Sequence, residues 1–124
     1  MIKEPYYESK IYMGCVKSRL LKPIYKREIR ENEVRQVIGE QQESYHIVIP
    51  LRITKTRFVA GSVYQENGWE IAAINYPRTN TTVQEIDDFM LILAKVLLNK
   101  FYQHRVSIVN PREIIMLTGE DDLE

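Results

Sequence analysis

Cysteine is almost missing from this chain. Cys15 stands alone, so no internal disulfide can form, and a reducing cytoplasm is the compartment that fits. An excess of charge of one sign is missing too. Seventeen Lys and Arg balance seventeen Asp and Glu, which argues against a general nucleic-acid binder, because such proteins carry surplus basic charge. In the most apolar segment, the unbroken run Phe89–Ala94 falls far short of the roughly 20 residues a bilayer span needs. Asp87, Asp88 and Lys95 interrupt its flanks, so membrane insertion is not expected. The opening MIKEPYYESK has no apolar stretch of the kind that marks a signal peptide. The five glycines are dispersed and make no phosphate-binding loop. Two histidines and one cysteine, with no close pair, are too few for a metal site. No cofactor is expected.

What is present suits one globular domain over residues 1–124, with 119–124 as a frayed acidic tail. At 44% hydrophobic and 27% charged residues the composition is far from the disordered regime. SKIYMGCVKSRL places Ile11, Met13 and Cys15 on one face of a first strand. KPIYKREIRENEVRQVIGE is ambiguous. Its charged residues favour helix, yet Ile24, Tyr25, Ile29, Val34, Val37 and Ile38 scatter around the wheel, and the reading leans to an exposed strand. In YHIVIPLRIT, Tyr45, Ile47, Ile49, Leu51 and Ile53 alternate onto one face, with Pro50 demanding a bulge or a free edge. KTR reads as a turn into FVAGSVYQ, and Asn67-Gly68 as a tight hairpin turn into WEIAAINY. Three strands then form an antiparallel meander.

Thr82 and Glu85 make a capping box that starts a long helix at Val83. VSIV is a short extended piece near YQHR. Asn110-Pro111 with Glu113 signals a short last helix, stopped by Gly119. The long helix is apolar around most of its circumference, whereas a surface helix needs an apolar stripe of only about 100° or somewhat more. A patch that wide is more than a soluble monomer leaves open. The expectation is therefore self-association, as a homodimer or homotetramer, through Phe89, Met90, Leu93, Val96, Leu97 and Phe101.

Catalytic chemistry finds little support. Cys15 with His46 or His104 as base would be a possible thiol nucleophile, but a lone cysteine in mid-strand reads better as a small core residue. His46 reads as a solvated strand residue, and His104 suits the negative end of the helix dipole. Asp87 and Asp88 are neighbours on a helix and point about 100° apart, so they form no carboxylate pair. Nothing in these residues calls for an enzyme. SRLLKPIYKREIR and RITKTRF interleave Arg, Lys and aromatics in the manner of a base-stacking surface, so a nucleic-acid-binding or regulatory module stands as an alternative. A small inhibitor of a host protein is a further one.

The order of elements resembles the SecB-like family. The first strand SKIYMGCVKSRL, the alternating YHIVIPLRITKTR, the small-residue strand FVAGSVYQENGWEIAAI, and VQEIDDFMLILAKVLLNKFYQHRVSIVNPREI with its helix and proline segment carry the similarity. The resemblance implies an α+β fold. Its antiparallel four-stranded sheet would have a long C-terminal helix and a short last helix on one face. It also implies a non-enzymatic holdase or adaptor that captures unfolded or partner polypeptide in apolar grooves, here lined by Phe58, Tyr64, Trp69 and Tyr76. Cys15 and Arg19 stand where that family's acidic motor-docking residues would fall, so docking to that motor is not expected and the fold is what carries over.

Overall fold

A computed structural model describes residues 1–15, 27–62 and 64–119. Strand β1 (Glu8–Gly14) is followed by helix α1 (Glu31–Tyr45), the long strands β2 (Leu51–Ala60) and β3 (Tyr64–Ile74), helix α2 (Val83–Lys100), and strands β4 (Arg105–Val109) and β5 (Ile114–Thr118). A 3-10 turn at Pro77–Thr79 leads into α2. The fold is α+β with a five-stranded sheet ordered β2-β3-β1-β4-β5, and every neighbouring pair is antiparallel.

Alternation along β1 buries Ser9, Ile11 and Met13 and leaves Glu8, Lys10 and Tyr12 on the other face. Cys15 continues the inner row, buried. Trp69, Ile71 and Ala73 of β3 share that inner face, as do Val106 and Ile108 of β4 and Leu117 of β5. Helix α2 packs on it. Its N-terminus has the expected cap: the Thr82 hydroxyl accepts from the Glu85 N–H at 3.1 Å, and the Glu85 carboxylate accepts from the Thr82 N–H at 3.1 Å.

Four sequence expectations need correction. The first concerns residues 24–38, of which 24–26 lie outside the described residues, as do positions 16–20 of the first-strand segment and 120–124 of the tail. From Glu31 the chain is helix, not exposed strand. Val34, Val37 and Ile38 are buried at helical spacing, i, i+3, i+4, while Ile29, which blurred the pattern, lies before the helix. Trp69 Nε1 donates to the Ile29 carbonyl at 3.0 Å and pins that approach to the sheet. The helix ends at His46, which adopts φ 51° as a left-handed cap instead of lying in a strand.

The second correction is the meander. Lys55–Arg57 lie inside β2 and Asn67-Gly68 inside β3, so three short strands become one long hairpin. The turn falls at Gly61, whose φ of +68° takes the left-handed conformation. The third is the last helix, which is strand β5. Asn110 does cap, but its side-chain oxygen accepts from Arg112 N–H at 2.9 Å and Glu113 N–H at 3.0 Å to close the β4–β5 hairpin. The sheet thus gains a fifth strand.

The fourth concerns the wide apolar surface of α2. Phe89, Met90, Leu93, Leu97 and Phe101 are each 0–2% exposed within a single chain, and Val96 is half-buried. Helix α1 packs against α2 and adds Val34, Val37 and Ile38 to the same core. A second copy is not required to cover them. No helix among the described residues is long and apolar enough to cross a membrane.

Candidate functional site

Both helices contribute to the core on one side of the sheet, and the outer face carries its own side chains in the open. Pairing puts Tyr12 opposite Glu70, Gly14 opposite Gly68, and Phe58 opposite Glu66. Tyr12, Gly14, Phe58 and Glu66, with Tyr64, Gln103 and Arg105, line a groove of about 700 Å³ on that face.

Tyr12 and Phe58 meet edge to face, ring centres 5.7 Å apart and planes at 78°. They do so across the intervening strand β3, which presents only Gly68 between them. A side chain there would start 2.9 Å from the Phe58 ring. The Tyr12 hydroxyl donates to Glu70 at 2.8 Å, and burial together with that bond pushes its ionisation up to about 12. Tyr12 is therefore a neutral donor at physiological pH. At the other end of the groove the Tyr64 hydroxyl donates to the Glu66 carboxylate, and this bond, first among the causes, raises Tyr64 above its ordinary value. Gln103, buried at 4% exposure, anchors its amide on the Phe101 carbonyl at 3.1 Å and borders the groove from the end of α2.

Among the residues expected to bind polypeptide, Phe58 and Tyr64 share this groove. Trp69 does not: it lies on the inner face, 6% exposed, with Lys55 over its ring. Tyr76 is exposed beyond the far end of β3. Cys15 borders the groove, but burial and the nearby Glu28 push its thiol up, so it is a poor thiolate. His104 is exposed at the same border. The described residues hold no cluster of three metal-ligating side chains. Tyr12, Gly14, Glu66 and Glu70 were missed. Alternation in SKIYMGC already placed Tyr12 and Gly14 together opposite Ile11 and Met13, but reading Asn67-Gly68 as a turn hid Glu66 and Glu70.

No family model matches the chain, and no curated protein matches it. Two solved structures share its fold. One is a phage SAM lyase in complex with S-methyl-5'-thioadenosine, 14% identical, with a TM-score of 0.66 over 98% of this chain and 95% of that one. The other is a phage SAM lyase in the apo state, 16% identical, with a TM-score of 0.62 over 92% of this chain and 90% of that one. The chain is similar in fold to these two phage SAM lyases. The likeness overturns the SecB-like resemblance, and with it the non-enzymatic holdase or adaptor and the chaperone assignment, because the neighbours are enzymes. The nucleic-acid and inhibitor alternatives gain nothing from it.

Proposed function

We propose that this protein is an enzyme that cleaves S-adenosylmethionine and releases S-methyl-5'-thioadenosine in the groove on the open sheet face. The observation that carries this reading is the pairing, in one groove, of the Tyr12–Phe58 aromatic contact with the Glu66 carboxylate. The shared fold with a SAM lyase over nearly the whole chain supports it.

The substrate is a sulfonium cation with an adenosyl group on one side and an α-amino acid on the other. A purine stacks on aromatic rings whatever its edges carry, worth about 1–3 kcal/mol per base. A sulfonium is drawn to the faces of the same rings. The α-ammonium is a match for Glu66 through a charge-assisted hydrogen bond. Adenine over Tyr12 and Phe58, with the ammonium at Glu66, stretches the ligand along the groove.

Breaking the bond between sulfur and the γ-carbon sends its electron pair to sulfur and leaves a neutral thioether, S-methyl-5'-thioadenosine. A lyase consumes no water, so the four-carbon fragment must complete itself. Attack of its own carboxylate on the γ-carbon closes a lactone; loss of a β-proton gives an alkene. Closure needs no nucleophile from the protein, which agrees with the raised Cys15 thiol. The chain's part is to fold the substrate so that carboxylate and γ-carbon meet in line. Opposite charges vanish in that step, so an aromatic, poorly hydrated surface favours it over bulk water.

Purified protein incubated with S-adenosylmethionine should yield S-methyl-5'-thioadenosine by chromatography. Tyr12→Ala and Glu66→Gln should each lower the rate by at least about tenfold, the effect of losing one good charged or stacking contact. No product from the wild type, together with no binding of S-methyl-5'-thioadenosine, would remove the reading.

A further inference from the structure

Gly14 and Gly68 face each other across β1 and β3, so the groove floor there is bare backbone. The two glycines are not equivalent. A methyl on Gly68 would meet the Met13 carbonyl at 2.5 Å, which is backbone. A methyl on Gly14 would meet Glu66 Oε1 at 2.6 Å and Gln103 Oε1 at 3.2 Å, both at the ends of side chains. The space above Gly14 is filled by the Glu66 carboxylate, which leans from β3 over β1. Its other oxygen, Oε2, accepts from the Tyr64 hydroxyl. One oxygen thus rests over a strand without a side chain, and the other is tied to its neighbour.

We infer that Gly14 is a positioning residue: by lacking a side chain it seats the Glu66 carboxylate at the end of the groove that takes a cationic amine. The amine rests on the lyase reading; the seat itself does not. Substrate and product of that reaction differ here, because S-methyl-5'-thioadenosine has lost the amino-acid arm and its ammonium. A carboxylate seated at this end grips the substrate and has nothing to hold in the product. Discrimination between the two is therefore built at the Gly14–Glu66 contact, away from the aromatic pair that both ligands share.

Tyr64 reports on the seat with no ligand present, because its bond to Glu66 is the main cause of its raised ionisation. Titration of 13C-labelled tyrosine by NMR should show Tyr64 moving down towards its ordinary 10.0 in both Gly14→Ala and Glu66→Gln. The melting temperature of Gly14→Ala should stay within about 3 °C of wild type, since only side-chain ends must yield. With S-adenosylmethionine, Gly14→Ala should lower kcat/KM at least about tenfold, yet add less than about twofold in the Glu66→Gln background, as residues acting as one unit do. Binding of S-methyl-5'-thioadenosine by calorimetry should change by less than about twofold in either variant. Wild-type titration of Tyr64 in Gly14→Ala overturns the seat, as do losses that multiply in the double variant. A wild type that neither turns over the substrate nor binds the thioadenosine removes the lyase reading and the amine with it, and the Tyr64 titration then decides the seat alone.

Discussion

Tyr12 and Phe58 touch ring to ring although a whole strand runs between them. Neighbouring strands lie about 4.8 Å apart, so residues on either side of a third strand are roughly 10 Å apart at the backbone. Only two large side chains leaning inward over an empty position close that gap. Gly68 is the empty position, and its amide plane is roofed by the contact it permits.

Gly68→Ala tests this arrangement. Glycine inside a strand usually costs stability, so alanine there would ordinarily help by about 0.5–1 kcal/mol. Here the new methyl would sit 2.5 Å from the Met13 carbonyl and 2.9 Å from the Phe58 ring. Backbone cannot give way cheaply, and overpacking of this kind costs about 1–3 kcal/mol. Urea unfolding should show the loss, with the slope unchanged.

The same position shows why sequence reading reached the elements but not the site. Thr82 and Glu85 are three residues apart and act locally, so the start of α2 at Val83 was legible. The alternation of Ile11, Met13 and Cys15 was local too, and its inner face is as expected. Asn67-Gly68 looks like a turn because nothing nearby says otherwise. Its partners are Arg57 and Thr56 on one side and Gly14 on the other, and pairing on both sides outweighs a dipeptide preference. The apolar surplus of α2 was likewise real but wrongly assigned. Its cover, Val34, Val37 and Ile38, sits some fifty residues upstream, in a segment whose helical stripe was masked by Ile29 and the residues before it.

Gly39→Ala is the contrasting case. Gly39 lies inside α1, and a methyl there would meet nothing within 4 Å. With no clash, only the backbone term remains, and alanine should raise stability by about 0.5–1 kcal/mol. Differential urea midpoints check the sign. A loss at Gly39 would mean that this face of α1 is covered by something outside the chain.

Leu93→Ala separates burial inside the chain from burial between copies. Leu93 is 0% exposed at the centre of α2. Truncation should cost about 2–5 kcal/mol, the range for a buried leucine that leaves a cavity. Because the covering residues belong to the same chain, the loss should be the same at low and at high protein concentration. A loss that grows on dilution would instead place Leu93 at a contact between subunits.

Alkaline unfolding should be governed in part by Tyr7. Its ring is 6% exposed, its hydroxyl donates to Asp87, and Arg112 lies over it, 5.4 Å from guanidinium carbon to ring centre. Burial first, then the bond to Asp87, pushes its ionisation from 10.0 up to about 12. A group raised in the folded state holds the unfolded chain back while both forms are protonated. That contribution is complete below pH 10 and is lost between 10 and 12, as the unfolded chain ionises first. Two pH units correspond to a little under 3 kcal/mol, and partial solvent access brings the expected size to about 2 kcal/mol. Tyr12 shifts in the same direction and adds to the wild-type decline. Tyr7→Phe removes the contribution of Tyr7 and leaves those of the other raised tyrosines in place. The variant should be less stable than wild type at pH 8, by about 1–2 kcal/mol for the lost buried hydrogen bond. The gap should then close as pH rises towards 12, because only the wild type has that proton to lose. Urea midpoints at pH 8, 10, 11 and 12 give the two curves. Parallel curves would show that Tyr7 ionises in the folded protein as it does in water, leaving the Asp87–Arg112 pair by itself to tie α2 to the β4–β5 turn.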